Sequence, residues 1–195
     1  MAINDTNKQW EQFLSPEVTR DRLISGAMYI TAYELLKDSI VGRIRDFYIS
    51  GFSEGKEIVS EEYQSRVLSR KKSVLYASLD WLLESEVIDQ ADLVVFERVK
   101  TARNSIAHEF PELVLGGRDQ HVGERFLEVA SLLRKIEVWW VVNFELAINP
   151  DYNDVEVDEA EIIPGPVLML QLMTDVISGN TEYLDHFREK QRKSF

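Results

Sequence analysis

The sequence predicts an all-α fold: a bundle of long amphipathic helices carrying a C-terminal helical appendage. Three observations carry this. Apolar residues recur at three- and four-residue spacing over two long stretches, about 16–50 and 119–148. Helix start and stop signals stand where that periodicity changes. No internal repeat, low-complexity tract or hairpin signal interrupts the pattern, so β-strands are not expected.

The elements follow in order. Asp5 to Leu14 reads as a short helix with Trp10, Phe13 and Leu14 on one side. Ser15-Pro16-Glu17 is a start signal: a hydroxyl to cap, a proline preset for the first turn, and an acid at the positive end of the dipole. The helix it opens runs to about Ser50, with Leu23, Ala27, Ile30, Leu35, Ile40, Ile44 and Phe47 at helical spacing. Gly26 and Gly42 inside it lower stability and mark candidate close contacts. Gly51 to Gly55 breaks the pattern. Ser60-Glu61-Glu62 begins a shorter helix that ends in Arg66, Arg70, Lys71 and Lys72. Ser73 to Val87 reads as an apolar helix through Leu75, Leu79, Leu82 and Leu83. Another starts at Asp89 or Asp92, passes Leu93, Phe96, Val99, Ile106 and Phe110, and is stopped by Pro111. After Gly116-Gly117, Asp119 to Ile148 forms a second long helix bearing Phe126, Val129, Leu132, Leu133, Ile136, Trp139, Trp140 and Phe144. Residues 149–161 turn acidic and irregular, Pro164-Gly165-Pro166 leads into an apolar helix, and a polar tail holds Arg188, Lys190, Arg192 and Lys193. The division expected is one domain over 1–195. Its core bundle spans about 16–148, an acidic linker 149–163 and a helical extension 164–195, since some thirty residues rarely hold a core alone.

Composition bounds the function. The 195 residues are 45% apolar and 29% charged, an ordinary globular balance. Cysteine is absent, which removes disulfides, thiolate metal sites and a cysteine nucleophile. The segment Met1-Ala2-Ile3-Asn4-Asp5 lacks the basic and apolar regions of a signal peptide, and Asn143 and Glu145 interrupt the longest apolar run. A cytoplasmic protein with no membrane partner is expected. The net charge of −12 repels phosphate backbones at long range, so duplex DNA is not an expected partner. A small basic cleft stays possible, because exposed charges are screened beyond about 8–10 Å at physiological salt.

Three histidines are present, His108, His121 and His186, and no two lie three or four residues apart as a helical metal site would favour. Phosphate-loop and nucleophile-elbow patterns are missing as well, so no metal and no cofactor are expected. What remains is Ala102-Arg103-Asn104-Ser105-Ile106-Ala107-His108-Glu109-Phe110 at a helix end. Asn104 and His108 are one turn apart on one face, and Arg103 lies one residue around. Cations are favoured at helix C-termini, histidine changes charge near neutrality, and a guanidinium fork matches phosphate oxygens. These are the parts of metal-independent RNA cleavage: a base for the 2′-hydroxyl, a cation for the phosphorane and an acid for the leaving oxygen.

This segment resembles the HEPN superfamily, whose signature is R-x(4–6)-H with a polar residue commonly after the arginine; Arg103-Asn104-x-x-Ala107-His108 is among its common forms. The motif covers six residues and the surrounding bundle pattern about 16–148. The resemblance implies an up-and-down bundle, usually a homodimer in which two motif helices meet at a shared cleft. It also implies metal-independent endoribonuclease activity on RNA, as in toxin–antitoxin and phage-defence systems, with a protein antitoxin as a further partner. Other members have lost activity and serve as binding modules. One subgroup carries H-x-Y with a modifiable tyrosine; here that position is Phe110, which argues against such regulation.

Other residues have plainer expectations. Glu34 or Asp38 could complete the family's cleft, although a solvent-facing helix acid is the commoner case. Arg66, Arg70, Lys71 and Lys72 could guide RNA, against a solvated face. Trp139-Trp140 fits core or dimer contact better than base stacking. His121 and His186 are expected at the surface, and 151–161 is expected to be a solvated linker.

Overall fold

The computed structural model describes residues 2–115, 121–152 and 155–193. Among them the architecture is an all-α bundle with one small two-stranded sheet. The helices are α1 (Ala2–Leu14), α2 (Pro16–Phe47), α3 (Glu61–Arg66), α4 (Val74–Glu84), α5 (Gln90–His108), α6 (Phe110–Leu115), α7 (Val122–Trp140), α8 (Gly165–Ile177) and α9 (Glu182–Lys193). The expected Gly116-Gly117 break, the Asp119 start and Asp154 lie outside the described residues. Among the described residues no helix is long and apolar enough to cross a membrane.

Helix α2 is the spine. Its 32 residues, about 48 Å long at 1.5 Å per residue, pack against α1, α4, α5, α6 and α7. Pro16 takes the first turn with Glu17, although the Ser15 side chain makes no capping bond. Helix α5 returns along α2, with Phe110 against Gly26 and Arg103 against Glu34. Helix α7 then runs parallel to α2, its start beside Ile24 and Met28 and its end beside Ser39 and Arg43. Between them lies one apolar core: Tyr29, Leu36, Ile40 and Ile44 of α2, Leu79 and Leu82 of α4, Phe96, Val99 and Ile106 of α5, and Val129, Leu133 and Ile136 of α7. Each such side chain contributes on the order of 1.5–3 kcal/mol by leaving water. Val167 and Leu170 of α8 join the same cluster, so the helical extension is packed onto the bundle.

Gly26 has the close contact expected of it: an added Cβ would lie 2.5 Å from Phe110 Cε2 and 3.2 Å from Leu113 Cδ2. At Gly42 the three nearest atoms all belong to the Asp38 carboxylate of its own helix.

One charged cluster is built into the α2–α7 interface. Glu137 is 1% exposed. It accepts from Ser39 Oγ at 2.6 Å and from Arg43 Nη2 at 2.7 Å, while Arg43 Nη1 reaches Glu145 at 3.0 Å. Beyond Trp140 the helix continues as a π-helical segment, Val141–Leu146, so the long second helix is present with a wider final stretch. Trp140 stacks on Trp81 with centroids 6.0 Å apart and packs on Phe144 at 4.7 Å, so Trp140 is core and the partly buried Trp139 packs against it.

The expectation of no strands is corrected. β1 (Ile49–Ser53) and β2 (Lys56–Val59) form an antiparallel hairpin where only a break was expected. Ser53 pairs with Lys56 around a two-residue turn, with φ of 52° at Glu54 and 75° at Gly55. Both central residues are left-handed, as a type I′ turn requires, but glutamate is an unusual occupant and hides the signal. Pro111 also does more than stop α5: Glu109 ends that helix and Phe110-Pro111 opens α6. The polar tail is helical as α9, through Lys193.

Candidate functional site

Helix α5 positions the motif, and its start is fixed by a reciprocal capping box. The Asp89 carboxylate accepts from the Ala91 and Asp92 amides at 2.7 and 3.0 Å, and Asp92 accepts from the Asp89 amide at 2.9 Å. The core seats Phe96, Val99 and Ile106 inward. That rotation leaves Asn104 and His108 exposed on one face and turns Arg103 toward α2.

Arg103 is the structurally engaged member. Its Nη2 donates to Glu34 Oε1 at 2.7 Å, and the guanidinium carbon lies 5.7 Å from the centroid of the Tyr33 ring. Arg103 Nε is buried without a hydrogen-bond partner. The side chain is 32% exposed, enough for the outer edge of the fork to meet a ligand. Glu34 Oε2 also takes Lys37 Nζ at 3.2 Å. Burial pushes the Glu34 carboxyl up, but hydrogen bonds and charge from Arg103 and Lys37 outweigh it and hold it below the ordinary carboxylate value. Of the two acids considered for the cleft, Glu34 is the one joined to Arg103; Asp38 is exposed one turn further along α2.

The structure therefore brings Arg103 to Glu34 rather than to His108. Five residues of helix turn the two side chains about 140° apart, with Asn104 between them. His108 occupies the last turn of α5 on the open surface.

One turn before the motif, a second polar group continues the same region. Lys100 Nζ hydrogen-bonds the Tyr76 hydroxyl and lies 4.5 Å from its ring centroid; that hydroxyl donates to Glu97 Oε1 at 2.6 Å. Tyr33 stands between the groups. Burial pushes its hydroxyl up, and Lys100 and Arg103 both oppose this, so the two cations act on one spot. Sequence reasoning missed Lys37, Tyr76 and Lys100; the available signal was the Lys100, Asn104, His108 spacing of four and four residues.

The remaining candidates stand apart. Arg70 is bound by Asp80 and Glu84, Lys71 by Asp80 at 3.2 Å, and Arg66 lies 3.8 Å from Glu62, while Lys72 is exposed. His121 precedes α7, exposed and 3.6 Å from Glu124, and His186 is exposed on α9. Among the described residues no group of three histidines or acids is placed to hold a metal ion. A groove of about 630 Å³ lies between α7 and α8, lined by Leu127, Ala130, Val167, Leu170 and Tyr183, away from the motif face. Comparison with family models, with curated proteins and with solved structures gives no match for this chain.

Proposed function

We propose that this chain is a HEPN-like, metal-independent endoribonuclease, with Arg103, Asn104 and His108 at the reacting phosphodiester. The observation that carries the proposal is the 2.7 Å pairing of Arg103 with Glu34, which holds a guanidinium one residue from the exposed Asn104, with the exposed His108 about 140° round the same helix end. A cation so held is ready for the phosphorane without reorganising.

In the proposed reaction His108 takes the proton of the 2′-hydroxyl. The 2′-oxygen attacks phosphorus, and the bond to the 5′-oxygen breaks. Arg103 neutralises the charge on the non-bridging oxygens, and Asn104 orients the imidazole or the phosphate. The departing 5′-oxygen takes a proton from a second imidazole, that of His108 in another copy of the chain across a shared cleft. The products are a 2′,3′-cyclic phosphate and a 5′-hydroxyl. Activity of this kind fits toxin–antitoxin and phage-defence systems, where a protein antitoxin would restrain it.

Incubation of purified protein with single-stranded RNA tests this. Cleavage is expected to survive EDTA and to vanish in His108→Ala and Arg103→Ala, with thermal unfolding little changed. Undiminished cleavage by the His108→Ala protein would end the proposal. A second reading, a binding module that does not cleave, is favoured by one observation: Glu34 already occupies one arm of the Arg103 fork. It predicts RNA or protein capture with no product.

A further inference from the structure

Lys100 lies outside the motif, yet it stands four residues before Asn104 and eight before His108. That spacing places the three on successive turns of one face of α5. Eight residues at about 1.5 Å each separate Lys100 from His108 by about 12 Å along the axis, farther than one phosphodiester spans. Lys100 is 29% exposed and is held in place rather than waving in solvent. The Tyr76 ring lies beneath its ammonium, and the Tyr76 hydroxyl, which donates to Glu97, accepts a hydrogen bond from it. An ammonium has three donors, so at least one stays available to an outside oxygen.

The local charge balance permits an anion there. Arg103, Lys37 and Lys100 stand against Glu34 and Glu97, a surplus of one positive charge in a chain of net charge −12. In the Arg66–Lys72 cluster, Arg66, Arg70 and Lys71 face Glu62, Asp80 and Glu84, and the exposed Lys72 leaves an equal surplus, so the held geometry of Lys100 and not the charge count sets the motif region apart. The Tyr76 ring, under the Lys100 ammonium and packed on Phe96 with centroids 6.5 Å apart, sets where that ammonium stands.

We infer that Lys100 and Tyr76 form a second nucleotide-binding position for single-stranded RNA, in which Lys100 contacts a phosphate next but one or further from the phosphate at His108. This rests on the proposal that Arg103, Asn104 and His108 face RNA. It makes Lys100 a binding residue for the length of the strand, distinct from the bond-breaking groups. A lysine that contacts phosphate as a point charge adds affinity without reading the base, so no sequence preference is expected from it.

The test separates binding from cleavage. Fluorescence anisotropy is measured with a short fluorescein-labelled single-stranded RNA and the His108→Ala protein, across a range of salt concentrations. Adding Lys100→Ala is expected to weaken binding about tenfold, the effect of one lost charge-assisted contact. The slope of log affinity against log salt should fall by about 0.7–1. Lys100→Arg should restore most of both, while Tyr76→Phe should weaken binding and leave the salt slope nearly intact. In the protein with His108 present, Lys100→Ala should raise KM for the long RNA with kcat within about twofold, and leave a dinucleoside monophosphate unaffected. An unchanged affinity and salt slope in Lys100→Ala overturns the inference, even where His108→Ala abolishes cleavage. RNA binding that depends on Lys100 with no cleavage by the unmodified protein would retain this site and reject the nuclease. Absence of RNA binding rejects the site outright.

Discussion

Arg103 of α5 and Glu34 of α2 are joined across 69 positions of chain by a 2.7 Å hydrogen-bonded ion pair. Together with the Tyr33 ring 5.7 Å from the guanidinium carbon, it ties Arg103 to the spine of the bundle.

Glu34→Gln separates orientation from stability. Both partners are partly exposed, so unfolding free energy should change by less than about 1 kcal/mol at neutral pH. If the chain cleaves RNA as proposed, cleavage should fall much further, because the amide no longer holds Arg103 with a full charge. The folded carboxyl lies below its unfolded value of 4.5, so the pair stabilises the fold above that pH and the contribution disappears as pH falls through the lower folded value. Urea unfolding of both proteins from about pH 7 to about pH 3 should show their difference closing at the acid end. A constant difference would show that the pair is not the source.

The buried cluster of α2 and α7 predicts an asymmetry. Arg43→Ala leaves the Glu137 carboxylate buried with only Ser39, which should cost about 3–5 kcal/mol, or about 10 °C in melting temperature. Glu137→Leu leaves Arg43 free to turn toward solvent and Glu145, and should cost distinctly less. Calorimetry of the two variants decides it; equal losses would contradict the argument.

Gly26→Ala and Gly42→Ala should move in opposite directions. At Gly26 the methyl meets the Phe110 ring at 2.5 Å, and a cost of about 1–3 kcal/mol follows. Since Phe110 sits two residues beyond His108, the proposed cleavage activity should fall too. At Gly42 the methyl first meets the movable Asp38 carboxylate, so helix propensity should stabilise by up to about 1 kcal/mol. Thermal unfolding of the pair provides the check.

Glu86→Gly is expected to stabilise by about 1 kcal/mol. Glu86 has φ of 57° just past α4, where the Val87 amide bonds Leu82 O at 2.9 Å and the Glu86 amide bonds Leu83 O at 3.1 Å. This is a Schellman ending, in which glycine adopts the left-handed conformation without a side-chain penalty. A lower melting temperature in the variant would refute it.

The long elements were legible because their apolar spacing is an average over many residues: α2, α5 and α7 lie where the periodicity put them. The Asp89 and Ser60 caps were legible for a local reason, a short acceptor placed before a helical run. What escaped notice depends on single atypical residues. Glu54 occupies a turn position that asparagine or glycine would announce, and Glu86 occupies a helix end where glycine would. At the candidate site, the arginine, amide and histidine were visible as a spacing, and Glu34 as one of two acids. The union of Arg103 with Glu34 was not visible, since it depends on how α5 is rotated against α2. Lys100 was passed over because a lysine on a helix face looks like any solvated lysine until Tyr76 is found beneath it.

Helices α2 and α7 lie side by side in the same direction, and both present aliphatic rows that recur nearly every turn. Sliding one past the other by a turn, about 5.4 Å, would bury almost as much oil. The Glu137 carboxylate has no such recurrence: a slip strands it away from Ser39 and Arg43. It therefore acts as a key in a keyway, selecting one axial alignment among several of similar burial. Apolar replacement of Ser39, Arg43 and Glu137 together should leave the melting temperature level or higher while near-ultraviolet dichroism weakens, the mark of lost uniqueness. Because α5 packs against both helices, that same alignment decides whether Glu34 arrives opposite Arg103 at all.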